Sequence, residues 1–280
     1  MADNPSYDPE AYRDFEHAAW AKLPQTYQEH FGFLTAQAAE PMLDAVGTAS
    51  GVRLLEVACG TGYVSAAAMV RGAIPVGIDF VAGMVTEARN RHPSIEFREG
   101  DAEALPFVDE SFDAVVCNFG LHHFGRPEQA MAEAYRVLAP GGRYAFTVWF
   151  PPDEVRLNLR QVVRAAVETH GDPHRPLPSS PPEFSDLQES KQALLAIGFA
   201  DAIASKLAIM GRWSKADHVL DTLYKGMGRT KALVEAQTDE ARKKIENAIL
   251  EVAKRFEKDG IIEIPMPAML ACARKPSRNS

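Results

Sequence analysis

Residues 54–63 read Leu-Leu-Glu-Val-Ala-Cys-Gly-Thr-Gly-Tyr, and Asp79 stands seventeen positions beyond Gly62. An apolar run enters a glycine-rich turn, and an acid marks the tip of the next apolar run. A Rossmann-like sheet builds a nucleotide pocket in this way. Gly60 and Gly62 let the backbone approach a ligand closely, and the carboxylate of Asp79 can accept hydrogen bonds from ribose hydroxyls. Glu56 adds a second acid beside the turn. Further along, Gly100–Phe107 carries Asp101 and Ala102, and Phe112–Phe119, which contains Asn118, runs into Leu121-His122-His123-Phe124.

These residues need elements to hold them. Apolar spacing over 10–46 predicts helices, with Pro24 and Pro41 opening new ones, because proline is tolerated in a first turn. Strands are expected at 52–58, 74–79, 95–99, 112–119 and 143–150, with helices near 63–71, 82–91 and 127–138 between them. Runs as apolar as Ala114–Cys117 suit strands covered on both faces. Five strands alternating with helices indicate a doubly wound α/β sheet. Residues 151–184 interrupt the rhythm with a short helical pattern at 154–169 and five prolines between His170 and Pro182. Ser185-Asp186-Leu187-Gln188 reads as a capping box for a helix ending at Gly198. A strand at 201–210 follows. Helices are expected over 214–258, capped near Ser214–Asp217 and at Thr238, and a last strand over Ile261–Ala273.

Composition narrows the function. The 280 residues carry a formal charge of −8, and 46% are apolar. Lys and Arg do not cluster with aromatic residues, which disfavours a nucleic acid partner. The sequence has neither an apolar run long enough to span a membrane nor the pattern of a secretory leader, so a soluble, cytoplasmic, non-exported chain without membrane insertion is expected. Cys59, Cys117 and Cys272 are too far apart for a zinc pattern and read as small buried hydrophobes in a reducing compartment. No metal is expected.

From Glu56 to Arg143 the order of motifs resembles the class I S-adenosylmethionine-dependent methyltransferases, in the small-molecule branch that includes the ubiquinone and menaquinone C-methyltransferases. Glu56, Gly60 and Gly62 match the acid-x-Gly-x-Gly-x-Gly motif, with Ala58 at its first glycine. Asp79 matches the ribose acid, and Gly100–Phe107 the adenine-side motif. Phe112–Phe124 matches the fourth-strand motif, and Arg136–Gly142 the loop before strand five. The likeness is close over 50–150 and holds in outline over 185–275. It implies a seven-stranded sheet with an antiparallel last strand and helical lid insertions. The expected organisation is a lid segment at 1–50, a cofactor-binding core at 51–150, a Pro-rich insertion at 151–184, core again at 185–213, a helical cap at 214–259 and a last core strand with tail at 260–280.

The residues favour the same cofactor. A dinucleotide fingerprint places a third glycine where Ser65 stands, and Glu56 would repel a diphosphate. Glu56, Asp79 and Asp101 instead suit S-adenosylmethionine, which carries an ammonium and a sulfonium. Phe80 and Met84 are expected on the adenine and Asn118 as a donor to cofactor or substrate; the resemblance implies that the N-terminal segment closes over the cofactor through Tyr27, with packing on the sheet as the alternative for Tyr27. Capping roles remain open for Glu56 and Asp79, a turn role for Asp101, and core packing for Phe80 and Met84. His122 and His123 are the candidate general bases, with pocket shaping as their alternative. Leu223, Tyr224 and Met227 are expected to line the acceptor pocket, or else a dimer contact. The family's Asn/Asp-Pro-Pro-aromatic motif for amino acceptors is replaced by Asn118-Phe119-Gly120-Leu121, so a small, mostly apolar acceptor methylated at O or C is expected. Three alternatives stand beside it. Arsenic methylation would need thiols in the lid, a cyclisation or rearrangement could retain the cofactor, and a scaffold protein could bind it without catalysis.

Overall fold

Alternation between two covered faces organises the central sheet. The computed structural model describes residues 7–150, 158–172 and 179–278. Helix α1 (Pro9–Trp20) begins where Asp8 accepts from the Glu10 and Ala11 N–H groups, with Pro9 pre-set for the first turn. A π-turn (Gln28–Gly32), α2 (Phe33–Thr35), a 3-10 turn (Ala36–Ala38) and α3 (Ala39–Ala45) follow. Pro41 falls in the first turn of α3, and Pro24 lies in a turn. The chain then alternates through β1 (Arg53–Val57), α4 (Tyr63–Val70), β2 (Ile74–Asp79), α5 (Ala82–Arg91), β3 (Glu96–Glu99), β4 (Phe112–Asn118), α6 (Pro127–Val137) and β5 (Leu138–Trp149). Beyond it come α7 (Leu159–His170), α8 (Leu187–Ile197), β6 (Ala200–Leu207), β7 (Met210–Trp213), α9 (Ala216–Gly226), α10 (Gly228–Glu235) and α11 (Asp239–Arg255). The last strands are β8 (Glu257–Lys258), β9 (Ile261–Pro265) and β10 (Ala268–Arg274).

Seven strands form one sheet in the order β3-β2-β1-β4-β5-β10-β6. Strands β1 to β5 pair in parallel, and β10 runs antiparallel between β5 and β6. Leu54, Ala114 and Val116 pack on one face, and Leu55, Val115 and Cys117 on the other. The strand order reverses between β1 and β4, and a doubly wound sheet receives ligands in the crevice at that point. A third cluster of buried residues lies above the crevice. It joins Leu23 and Phe31 to Phe119 and Trp149 at the strand tips and to Val163, Leu223 and Ile245 of the later helices.

Several expectations need correcting. The apolar run over Ile261–Ala273 is two strands, not one: β9 joins β7 and β8 in a separate three-stranded sheet, and only β10 enters the main sheet. Pro265 and Pro267 flank the break, since proline cannot donate to a ladder. The 201–210 run likewise divides into β6 and β7. Asp186, not Ser185, caps α8, and α9 has Lys215 at its N-cap position with no side-chain cap. The helix expected from 154 starts at Leu159, behind an Asn158–Gln161 capping box. Parts of the Pro-rich stretch, 151–157 and 173–178, lie outside the described residues. On α1 the buried face is Tyr12, Glu16 and Ala19, whereas Ala11 and Ala18 are exposed. Among the described residues no helix is long and apolar enough to cross a membrane.

Gly62 leads into α4 at φ +80, and a Cβ there would approach the Phe97 ring to 2.5 Å. Gly62→Ala should lower the unfolding free energy by roughly 2–4 kcal/mol in urea denaturation, from left-handed strain plus overpacking. An unchanged midpoint would show that the turn relaxes freely.

Candidate functional site

The turn after β1 sets the geometry. Ala58 sits at φ +55, a left-handed conformation that costs a non-glycine residue about 1–2 kcal/mol. Its methyl faces Gly120, where an added Cβ would come within 2.6 Å of it. Gly60, at φ +52, turns its N–H to Asp79 Oδ2 at 2.8 Å, and Val81 N–H donates to Oδ1 at 3.0 Å. Asp79 is only 7% exposed. Burial raises its pKa above the ordinary value, and these two N–H groups pull in the opposite direction.

Glu56 is almost fully buried at the end of β1, where Oε2 accepts from Ser65 N–H at 2.8 Å and Ser65 Oγ at 2.5 Å. It therefore caps α4 while also lining the crevice. Burial pushes its carboxyl up to about 8, despite the Ser65 hydrogen bonds. Asn118 is committed within the protein: its amide donates to Thr35 O at 3.1 Å and to the Tyr63 hydroxyl, while its Oδ1 accepts from Thr147 Oγ1 at 2.7 Å. Thr61 Oγ1 donates to Gln28 Oε1 at 2.5 Å, which ties the N-terminal segment to the glycine turn.

Three adjoining compartments open at the strand tips. The central cleft, about 570 Å³, is lined by Glu56, Ala58, Gly60 and Asp79 together with Tyr27, Phe80, Met84 and Asn118. A second compartment of about 340 Å³ shares Ala58, Asp79 and Phe80 and adds Asp101 and Ala102. A third, about 540 Å³, shares Tyr27, Phe119 and His123 with the cleft and adds Phe31, Trp149 and His122. Gly62 does not line any of the three and lies behind the turn against Phe97. Asp101 is engaged, with Oδ2 paired to Arg13 at 2.7 Å and Oδ1 accepting from Glu103 N–H at 2.9 Å. Of the expected acceptor-side residues only Met227 lines the third compartment. Leu223 is in the core, and Tyr224 donates to Glu246 at 2.5 Å.

The two histidines differ in setting. His123 Nδ1 lies 2.8 Å from Glu16 Oε2, and Glu16 is 0% exposed. The Trp20 indole N–H donates to the same oxygen at 3.2 Å, and Arg229 stands 3.6 Å from Oε1. Burial would raise the Glu16 carboxyl, but the His123 charge and hydrogen bond, with Arg229, outweigh it and hold it below the ordinary value. The His122 ring packs 4.1 Å from that of His123. Burial, then the His123, Arg160 and Arg229 charges, hold His122 well below its ordinary value, so it is neutral. Helix α1 covers this loop, with Tyr12 Oη donating to His122 O at 2.7 Å. Sequence reasoning missed Glu16, Arg13, Tyr63, Arg160 and Arg229. Glu16 left one signal, an acid between Tyr12 and Ala19 on the buried stripe of α1.

Fold and site define a class I S-adenosylmethionine-dependent methyltransferase scaffold, and residues 55–146 match the methyltransferase domain family. A demethylmenaquinone methyltransferase of Deinococcus radiodurans is 36% identical over 177 residues, covering 58% of this chain and 73% of the relative. Its counterpart in Renibacterium salmoninarum is 47% identical over 102 residues, 36% of this chain and 43% of the relative. The chain thus spans less than half the length of some curated relatives it matches. A putative methyltransferase of an antibiotic biosynthesis pathway in Anabaena variabilis has the same fold, with a TM-score of 0.60 at 18% identity over 85% of this chain and 96% of that one. The chain belongs to the class I S-adenosylmethionine-dependent methyltransferases, in the branch resembling the menaquinone-biosynthesis enzymes.

Glu56 gives the ligand-free protein a pH signature. Its carboxyl ionises near 4.5 in the unfolded chain and near 8 in the folded one. The folded state binds more protons across that window, so stability falls as pH rises from about 4.5 to 8. Urea unfolding across the window should show the decline, and Glu56→Gln should flatten it. An identical slope in the variant would assign the effect elsewhere.

Proposed function

We propose that this protein moves a methyl group from S-adenosylmethionine to an oxygen or carbon of a small, mostly apolar, quinone-like acceptor. The observation that carries the reading is the junction of an acid-lined cleft at Glu56, Gly60 and Asp79 with an aromatic compartment at Phe31, Phe119 and Trp149. Tyr27 and His123 line both. The demethylmenaquinone methyltransferases among the relatives support a quinone-like acceptor.

When bound, S-adenosylmethionine supplies an electrophilic methyl group on a sulfonium. Asp79 takes the ribose hydroxyls on the lone pairs that Gly60 and Val81 leave open. Phe80 and Met84 flank the adenine, Ala102 backs it, and Asp101 shares its charge between Arg13 and the base. Glu56 faces the cofactor, whose positive charge would favour its ionised form. Asn118 acts indirectly, by holding Tyr63 and Thr35 in the wall. Glu16 fixes the Nδ1 proton of His123, leaving Nε2 to receive a proton from the acceptor. The N-terminal segment and the 214–259 helices form the lid that excludes water. The three free, buried cysteines support a reducing, cytoplasmic setting.

Calorimetric titration should detect S-adenosylmethionine and S-adenosylhomocysteine but not NAD, and a quinol screen should yield a product heavier by one methylene. Asp79→Ala should weaken S-adenosylhomocysteine by about 1–3 kcal/mol. Binding of NAD alone would overturn the reading. Glu16→Gln should lower kcat by about a hundredfold with little change in KM and shift the acid limb of the rate profile. An unaltered profile would make Glu16 purely structural.

A further inference from the structure

Tyr27 from the N-terminal segment and Phe119 from the tip of β4 border both the central cleft and the third compartment. They stand at the two ends of a buried hydrogen-bond chain. Tyr27 Oη lies 3.0 Å from Thr35 Oγ1. The Thr35 carbonyl accepts from the Asn118 amide at 3.1 Å, and the same amide donates to the hydroxyl of Tyr63, a residue of the cleft wall. Asn118 Oδ1 accepts from Thr147 Oγ1 at 2.7 Å, and Thr147 Oγ1 in turn accepts from the Phe119 N–H at 3.0 Å. Thr147 borders none of the three compartments and is 0% exposed. From Ala145 to Phe150 every residue is buried, and Thr147 carries the only hydroxyl among them. Valine would fill that place in a strand equally well. Nor does the Phe119 N–H depend on the hydroxyl, since it also donates to Thr147 O at 3.2 Å. What the hydroxyl adds is direction. Its single proton goes to Asn118, so a lone pair is left for Phe119, and the amide and the Phe119 backbone are fixed to each other.

We propose that Thr147 is a positioning residue: its hydroxyl joins Asn118 to Phe119, so that filling the cofactor cleft resets the aromatic wall of the third compartment. This rests on the methyltransferase reading and adds how its two compartments are matched. On the cofactor side, Asn118 and Tyr63 both line the cleft, so an occupant touches the chain there. On the other side, Phe119 is held at φ +56, where a side chain has few alternative conformations. Its ring stacks on Trp149 with centroids 4.0 Å apart and planes 23° apart, so the two rings move as one wall. Every link between Tyr27 and Phe119 is a directional bond in a buried setting, where such bonds polarise and stiffen one another.

The chain has three tryptophans, so labelling with 5-fluorotryptophan gives three fluorine resonances, and Trp149→Phe identifies the one that reports the Phe119 stack. S-adenosylhomocysteine should shift the Trp149 resonance of the full chain. Thr147→Val should bind S-adenosylhomocysteine with nearly unchanged affinity in calorimetry, yet lose about half or more of that shift. Thr147→Ser, which keeps the hydroxyl, should recover it. Thr147→Ala removes the hydroxyl without adding a methyl group, and it should repeat the loss even if valine disturbs the fold. A Trp149 resonance that bound S-adenosylhomocysteine leaves in place would overturn the proposal, as would an equal shift in all the Thr147 variants. Equal loss in the serine and valine variants would assign the effect to packing and defeat the role given to the hydroxyl. Failure of S-adenosylhomocysteine to bind would sink the methyltransferase reading, and the ligand-free spectra would then decide this inference. A Trp149 resonance displaced by Thr147→Val and Thr147→Ala but not by Thr147→Ser upholds the hold of Thr147 on the wall, and an undisplaced one refutes it.

Discussion

The carboxylate of Glu16 is the constraint around which the site closes. A fully buried, ionised carboxylate costs several kcal/mol unless charge and hydrogen bonds surround it. Here the surroundings come from three parts of the chain: Trp20 from α1 itself, His123 from the loop after β4, and Arg229 from α10. Satisfying Glu16 therefore requires the N-terminal helix, a strand tip and the late helical segment to meet at one point. Tyr12 strengthens the meeting, with its hydroxyl on His122 O and its ring under the Arg229 guanidinium at 5.3 Å.

The same arrangement separates charge along the crevice. Glu56, Asp79 and Asp101 stand where the turn after β1 opens, and Arg160 and Arg229 stand beyond the histidines. The positive charge of S-adenosylmethionine matches the acid end. In a cleft screened from water such pairing is stronger than at a surface. His123 lies on the boundary and borders all three compartments.

Backbone strain is also present at the same strand tips. Ala58 and Phe119 both take positive φ, near +55 and +56, although neither is glycine. Phe119 is held there by its N–H on Thr147 Oγ1 at 3.0 Å and by its stack on Trp149. Conformations of this kind persist where surrounding packing over-determines them. The cluster shared by Phe31, Phe119, Trp149 and the later helices supplies that packing.

The sequence by itself determined the parallel sheet, the glycine turn and the acids at the strand tips. Each is written in local order, as an apolar run, a turn residue and a polar tip within a few positions. Thr238 as a cap and Gly198 as a helix end were legible for the same reason. Only the tertiary structure decided that β9 leaves the main sheet, that Asp101 is paired with Arg13, and that Asn118 is spent inside the protein. It also decided that Glu16, Arg160 and Arg229 converge on two histidines more than a hundred residues from Glu16. Hydrophobic periodicity finds apolar faces and passes over a buried acid among them. Contacts between residues far apart in the chain leave no local pattern, because they are selected by packing in three dimensions.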